Sequence, residues 1–169
     1  MKPFVKFGLL SGGIFVLFTL IMYVTELNRG GSMQAIEMSA LIIPIACMYF
    51  AISTYKTEIG NGWISFGTAF KQAFYVGCIG GIIRSVFHFV YIRFIDPAFI
   101  DFQKHLEFEK MIEDGMSDAM IETRMQQSAP FMTPPIQFII VLIISLFFAA
   151  VLGLLMAAIF KKQNPDEIA

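Results

Sequence analysis

Four long apolar runs separated by polar connections dominate the pattern of this chain. The last, Ile136 to Phe160, contains no charged side chain, and Phe7 to Thr25, Met38 to Tyr55 and Gln72 to Ile95 precede it. The second is interrupted by Pro44, and the third contains Arg84 and ends near Arg93. A backbone in hydrocarbon must satisfy its own amides, so apolar stretches of ~20 residues predict transmembrane α-helices. The first run is longer than a signal-peptide core, and Tyr23-Val24-Thr25-Glu26-Leu27 lacks a small-x-small cleavage pattern, so it reads as a retained helix.

The connections supply helix starts and stops. Gly60-Asn61-Gly62-Trp63 predicts a turn with an interfacial aromatic. Ser65-Phe66-Gly67-Thr68 offers capping hydroxyls to a helix that begins near Phe66 and carries Phe66, Phe70 and Phe74 on one face. Between the third and fourth runs, Phe99 to Asp114 predicts a helix stopped by Gly115. Ser117 then caps a shorter one to about Gln127, and Pro130, Pro134 and Pro135 punctuate the return. The expected fold is therefore an all-α integral membrane protein in one domain, 1–169. Its four transmembrane helices lie at about 7–25, 38–55, 66–95 and 136–160, with an extracytoplasmic helical hairpin at about 99–128 between the third and fourth.

Charge sets the expected orientation. Lys2, Lys6, Lys56, Lys71, Lys161 and Lys162 fall at connections assigned to the cytoplasm. The connection Glu26 to Glu37 carries only Arg29 as a basic residue, and Asp96 to Ser128 has eight acids against Lys104, Lys110 and Arg124, so both belong outside. An even number of helices with both termini cytoplasmic satisfies every connection. Composition agrees: the 169 residues are 57% apolar, 15% aromatic and 15% charged, whereas soluble domains average ~25% charged. A net charge of −1 gives no sign of a nucleic-acid partner.

Small residues predict where helices meet. Ala149, Gly153 and Ala157 repeat at four-residue spacing with Ser145 extending the row, and Gly8 with Gly12, and Gly77 with Gly80 and Gly81, form similar grooves. Such grooves permit close backbone approach within the bundle, or between copies.

The candidate chemistry centres on Arg84, a charge that costs ~2.5–3.5 kcal/mol at a helix centre on insertion scales. His88 and Tyr91 continue its stripe, and the glycines Gly77, Gly80 and Gly81 extend the stripe the other way. No apolar run contains an acid. Expected neutral partners are Thr19, Tyr49 and Ser145 at similar depth, together with the Ala40 carbonyl that Pro44 would leave without a donor. Arg84 then either fixes helix register, or binds an anion, lipid headgroup or solute, with a proton relay through His88 a further alternative.

Phosphate-binding loops, dinucleotide fingerprints, nucleophile elbows and metalloprotease motifs are absent. Cys47 and Cys78 lack metal-type spacing, and His105 stands alone among acids. No cofactor or metal is expected, and the pattern predicts a non-enzyme.

The layout of four helices, the segment Ser65-Phe66-Gly67-Thr68-Ala69-Phe70-Lys71, and Gly115-Met116-Ser117-Asp118 with Ile121-Glu122 before a proline-bracketed last helix resemble the Bacteroidota membrane family labelled domain of unknown function 4199. The resemblance covers nearly the whole chain and implies a bacterial inner-membrane protein. It supplies no catalytic residues. Two functional classes remain. The expected one is an accessory or scaffold subunit whose partners are the bilayer and another membrane protein or a second copy. The alternative is a small transporter or channel component with the Arg84 stripe along a solute path.

Overall fold

A computed structural model describes residues 1–29, 36 and 38–162. Its principal helices are α1 (Pro3–Val24), α2 (Ile42–Glu58), α3 (Phe66–Val90), α4 (Phe99–Glu113), α5 (Asp118–Ser128) and α6 (Pro134–Phe160). A π-helical turn, Tyr91–Ile95, extends α3. Among the described residues three helices are long and apolar enough to cross a membrane: α1, α3 with its π extension, and α6. α2, with 17 residues, is shorter than these. Ile143, Phe147 and Ile159 of α6 are among many large apolar side chains left exposed, a surface suited to acyl chains rather than water.

Helix boundaries follow from local chemistry. Helix α1 begins at Pro3, four residues before the expected start, because proline at a first helical position loses no hydrogen bond. Lys6 therefore lies inside the helix, its ammonium 5.5 Å from the Phe7 ring centroid. Prolines also open α6, two residues ahead of Ile136. Pro44 corrects another expectation. Helix α2 starts at Ile42, so the proline sits in the first turn, and the Ala40 carbonyl accepts from the Ile43 amide at 3.1 Å. That carbonyl is not left for Arg84.

Between α2 and α3, Trp63 N–H donates to Gly60 O at 2.8 Å, and Asn61 and Gly62 take positive φ of 48° and 88°. These angles suit a tight primed turn, in which asparagine and glycine tolerate the left-handed region. Ser65 caps α3 as its sequence suggests: the Thr68 amide donates to Ser65 Oγ at 3.3 Å. Helix α4 ends at Gly115, φ 73°, where the Gly115 and Met116 amides return to Ile112 and Met111 carbonyls in a Schellman-type stop. Ser117 precedes α5 with extended backbone, but its hydroxyl makes no capping bond.

By packing, the chain divides into two compact units. One comprises 1–84 and 142–169, the other 85–141. In the first, α1 and α6 both close on α3. A β-carbon added at Gly8 would lie 2.8 Å from Ile79 Cβ, and one at Gly12 would lie 2.7 Å from Ile83 Cβ. The matched order of these pairs makes α1 parallel to α3. Gly77 faces Ala149, and Gly81 faces Ser145, so α6 runs antiparallel to α3. Phe7 stacks with Phe50 at 6.0 Å, bringing α2 against α1. Around these contacts Met48, Ala51, Ile52, Ala69, Ala73, Val76, Met156 and Ala157 form the buried core. At one end Ile64 and Lys162 exchange backbone hydrogen bonds at 2.8 and 2.9 Å, and the Lys162 ammonium stands 4.6 Å from the Trp63 ring centroid.

The second unit holds the end of α3, the π turn, α4, α5 and the start of α6. Phe89 meets Phe138 edge-on at 6.4 Å, and Tyr91 meets Phe99 likewise at 5.7 Å. Met111 and Ile121 are buried, whereas the acids of α4 and α5 are mostly exposed.

The small-residue contacts make a differential prediction. Any side chain at Gly77 meets Ala149 and the Met48 methyl, whereas a β-carbon at Gly13 meets nothing within 4 Å. Gly77→Leu should lose ~1–3 kcal/mol through overpacking, and Gly13→Leu should melt with the wild type. Thermal unfolding in detergent compares the three, and equal melting of both variants would contradict the packing.

Candidate functional site

A cavity of about 300 Å³ lies within the first unit, walled by α1, α3, α6 and the start of α2. Among the described residues its polar groups come from Ser11, Ser145 and Arg84, while Phe15, Leu41, Met48, Phe148 and Leu152 supply much of the apolar wall. Local sequence explains the hollow. Gly77, Gly80 and Gly81 present bare backbone toward it and let Ser11, Ser145 and Ala149 approach α3. Pro44 lines the same space at the start of α2.

Arg84 is half-buried, with the centre of its guanidinium 4.2 Å from the Phe15 ring centroid. Stacking on an aromatic face contributes up to ~2 kcal/mol in a desolvated setting, and leaves the donors along the guanidinium edge directed in its plane. Ser145 Oγ is buried and has no hydrogen-bond partner among the described residues. Ser11 is buried. Among the described residues the cavity thus combines one cation and two hydroxyls with apolar walls.

The other expected partners lie elsewhere. Thr19 Oγ1 donates to the Phe15 carbonyl at 3.0 Å, one turn back in its own helix, and does not line the cavity. Tyr49 also stays out of the lining; its ring packs against Phe50 at 5.2 Å and against Phe160, the last residue of α6, at 5.3 Å. Only Ser145 of that trio is brought to Arg84's cavity. The stripe itself divides: Arg84 closes the first unit, and His88 and Tyr91 belong to the second. Of the small-residue positions, Gly8, Gly12, Gly77, Gly80, Gly81 and Ala149 all stand at helix contacts. Gly153 meets Phe70 and Phe74, and Ala157 is fully buried in the core.

One polar pair in the second unit was not expected. Tyr91 hydroxyl donates to Asp96 Oδ2 at 3.0 Å, and both residues are buried, Asp96 at 4% exposure. Sequence assigned Asp96 to a solvated outer connection. The π turn overrules that, because Asp96 N–H reaches back five residues to the Tyr91 carbonyl at 2.8 Å and carries the carboxylate inward. An acid directly before Pro97 at a helix end was the available signal.

Among the described residues no group of three His, Cys, Asp or Glu is placed to hold a metal ion. Cys47 and Cys78 are unbridged. His105 sits exposed, 3.9 Å from Glu109.

The family model described as protein of unknown function (DUF4199) matches residues 6–162. No curated protein and no solved structure matches the chain.

The buried pair in the second unit can be tested directly. Tyr91→Phe keeps the ring contact with Phe99 but removes the donor to Asp96. A buried acceptor that loses a partner costs ~1–3 kcal/mol, so this variant should unfold at a lower temperature than the wild type. Unchanged melting would show that the bond contributes nothing.

Proposed function

As the chain belongs to the DUF4199 family of proteins of unknown function, we propose that it is a four-span bacterial inner-membrane protein that binds an anionic group inside its helices. In this reading α2 is the fourth span, both termini are cytoplasmic, and α4 and α5 form an extracytoplasmic hairpin. At ~1.5 Å per residue α2 extends ~26 Å, near the short limit for a crossing helix. Lys2, Lys56, Lys71, Lys161 and Lys162 support the orientation, as does the Ile64–Lys162 pairing that joins the α2–α3 connection to the end of α6. The role is a non-catalytic component of the transporter or channel class. The observation that carries this reading is the cavity that holds Arg84 together with Ser11 and Ser145.

An accessory or scaffold role draws on a different observation, the exposed acids of α4 and α5. It predicts a membrane protein that co-purifies through that pair of helices and is lost when they are deleted.

Anion binding is tested by native mass spectrometry of the wild type, Arg84→Lys and Arg84→Leu with phosphatidic acid and with inorganic phosphate. An ammonium cannot reproduce the guanidinium's planar donor fork, so Arg84→Lys should bind on the order of tenfold more weakly, ~1.4 kcal/mol. Arg84→Leu should lose the anion, and its melting temperature, read alongside, separates lost binding from lost folding. Equal retention by all three proteins would contradict the site.

Orientation has its own test. With Cys47 and Cys78 replaced, cysteines at Gln103 and Ser117 should react with an impermeant thiol reagent in spheroplasts, and one at Asn61 should be protected. The reverse labelling would invert the topology.

A further inference from the structure

We infer that the lysine-bearing end of the first unit is a docking surface for anionic phospholipid headgroups, held at the ammonium groups around Trp63. The inference goes beyond the Arg84 reading and takes from it only that these helices cross a bilayer.

Four helix ends meet there. Helix α1 begins at Pro3, α2 ends at Glu58, α3 begins at Phe66 and α6 ends at Phe160. The Phe4 and Tyr75 ring centroids stand 5.1 Å apart, which sets the start of α1 beside that of α3. The Ile64–Lys162 pairing fastens the end of α6 to the α2–α3 connection. Every helix brings lysine to this level: Lys2 and Lys6 at α1, Lys56 on α2, Lys71 on α3, and Lys161 and Lys162 just after α6. Lys56 is partly buried and the other five are exposed, and none of the six makes an ion pair with another described residue. Glu58 is the acid at this end among the described residues, and Asp166 and Glu167 follow in the sequence. With all three counted, lysines still outnumber acids six to three.

Aromatic rings hold three of these cations. The Lys2 ammonium is 5.9 Å from the Phe4 ring centroid, the Lys6 ammonium 5.5 Å from that of Phe7, and the Lys162 ammonium 4.6 Å from that of Trp63. A ring takes up one side of an ammonium and leaves its other donors for water or a phosphate. The arc around Trp63 is the most closely built. Gly62 N–H donates to the Lys56 carbonyl at 2.8 Å and Ile64 exchanges bonds with Lys162, so the indole sits between two lysine-bearing segments, at a helix end where tryptophan favours the headgroup level.

What lies a turn or two further into each helix identifies the partner. Leu9 and Leu10 follow Lys6, Tyr75 follows Lys71, and Leu155 and Ile159 precede Lys161, all between 45% and 69% exposed. Cations directly above exposed apolar side chains match a molecule that carries its anion directly above acyl chains. An acidic protein or a nucleic acid presents charge without that hydrocarbon. The far end of α1 lacks the pattern, with Glu26 and Arg29 where the near end has lysines. The residue type fits as well. A lysine ammonium is a compact, hydrated point charge, suited to an exchanging phosphodiester rather than to fixed bidentate capture, and its attraction is screened by salt.

Trp63 is the single tryptophan of the chain and reports on this surface without a label. The full chain is reconstituted in phosphatidylcholine bilayers with rising fractions of brominated phosphatidylglycerol or of brominated phosphatidylcholine, and quenching of Trp63 gives the relative affinity of the two lipids there. The wild type should prefer phosphatidylglycerol on the order of fivefold. That preference should fall toward one at ~1 M salt, where the Debye length is ~3 Å. The triple variant Lys56→Gln, Lys161→Gln, Lys162→Gln should lose it at low salt, Lys161→Gln alone should lose part of it, and Lys104→Gln with Lys110→Gln on α4 should keep it. Equal quenching by the two lipids in the wild type, a preference that survives ~1 M salt, or wild-type preference in the triple variant would overturn the inference. Each of those results leaves the Arg84 site, read through inorganic phosphate, to stand or fall by its own test.

Discussion

The first unit depends on how closely α1 and α6 approach α3. In lipid no hydrophobic effect draws apolar helices together, because an acyl chain is as good a neighbour as leucine, so association relies on van der Waals contact at short range. Glycines on α1 and α3 permit that range: Gly8 and Gly12 accept Ile79 and Ile83 of α3, and Gly77 and Gly81 accept Ala149 and Ser145 of α6. A methyl at any of these positions would meet another side chain at less than ordinary contact distance. The same bare backbone that closes the helices forms one wall of the Arg84 cavity, so packing and site share their cause.

That shared cause accounts for where the charge is tolerated. Arg84 follows Gly80 and Gly81 by one turn or less, on a helix whose partners come near enough to place the Phe15 ring under its guanidinium. The aromatic face offsets part of the desolvation of this cation, and the serines add dipoles at the cavity surface. A registering role and a binding role both begin from this arrangement. The buried Ser145 hydroxyl is what favours binding.

Much of the fold was legible because its determinants are local. Ser65 with Thr68, the Asn61-Gly62 turn and Gly115 fix boundaries through chemistry within four residues, and each stands as its sequence suggested. Small-residue rows were legible as contacts, though not which helix would fill each groove. Pro44 was misread because its effect depends on where α2 begins: mid-helix it strands a carbonyl, whereas in the first turn it strands none. Asp96 escaped notice because a π turn adds a residue that no hydrophobic period announces. The cavity could not be read at all, since Phe15, Leu41, Met48 and Phe148 come together only through packing of four separate segments.

The central claim is that the space beside Arg84 is an anion site rather than a packing defect around a structural cation. A structure determined in nanodiscs that contain phosphatidic acid tests it most directly. The account predicts a phosphate inside the cavity, in hydrogen-bond reach of Arg84 and Ser145. A cavity closed by repacked side chains, with no anion beside Arg84, would contradict it.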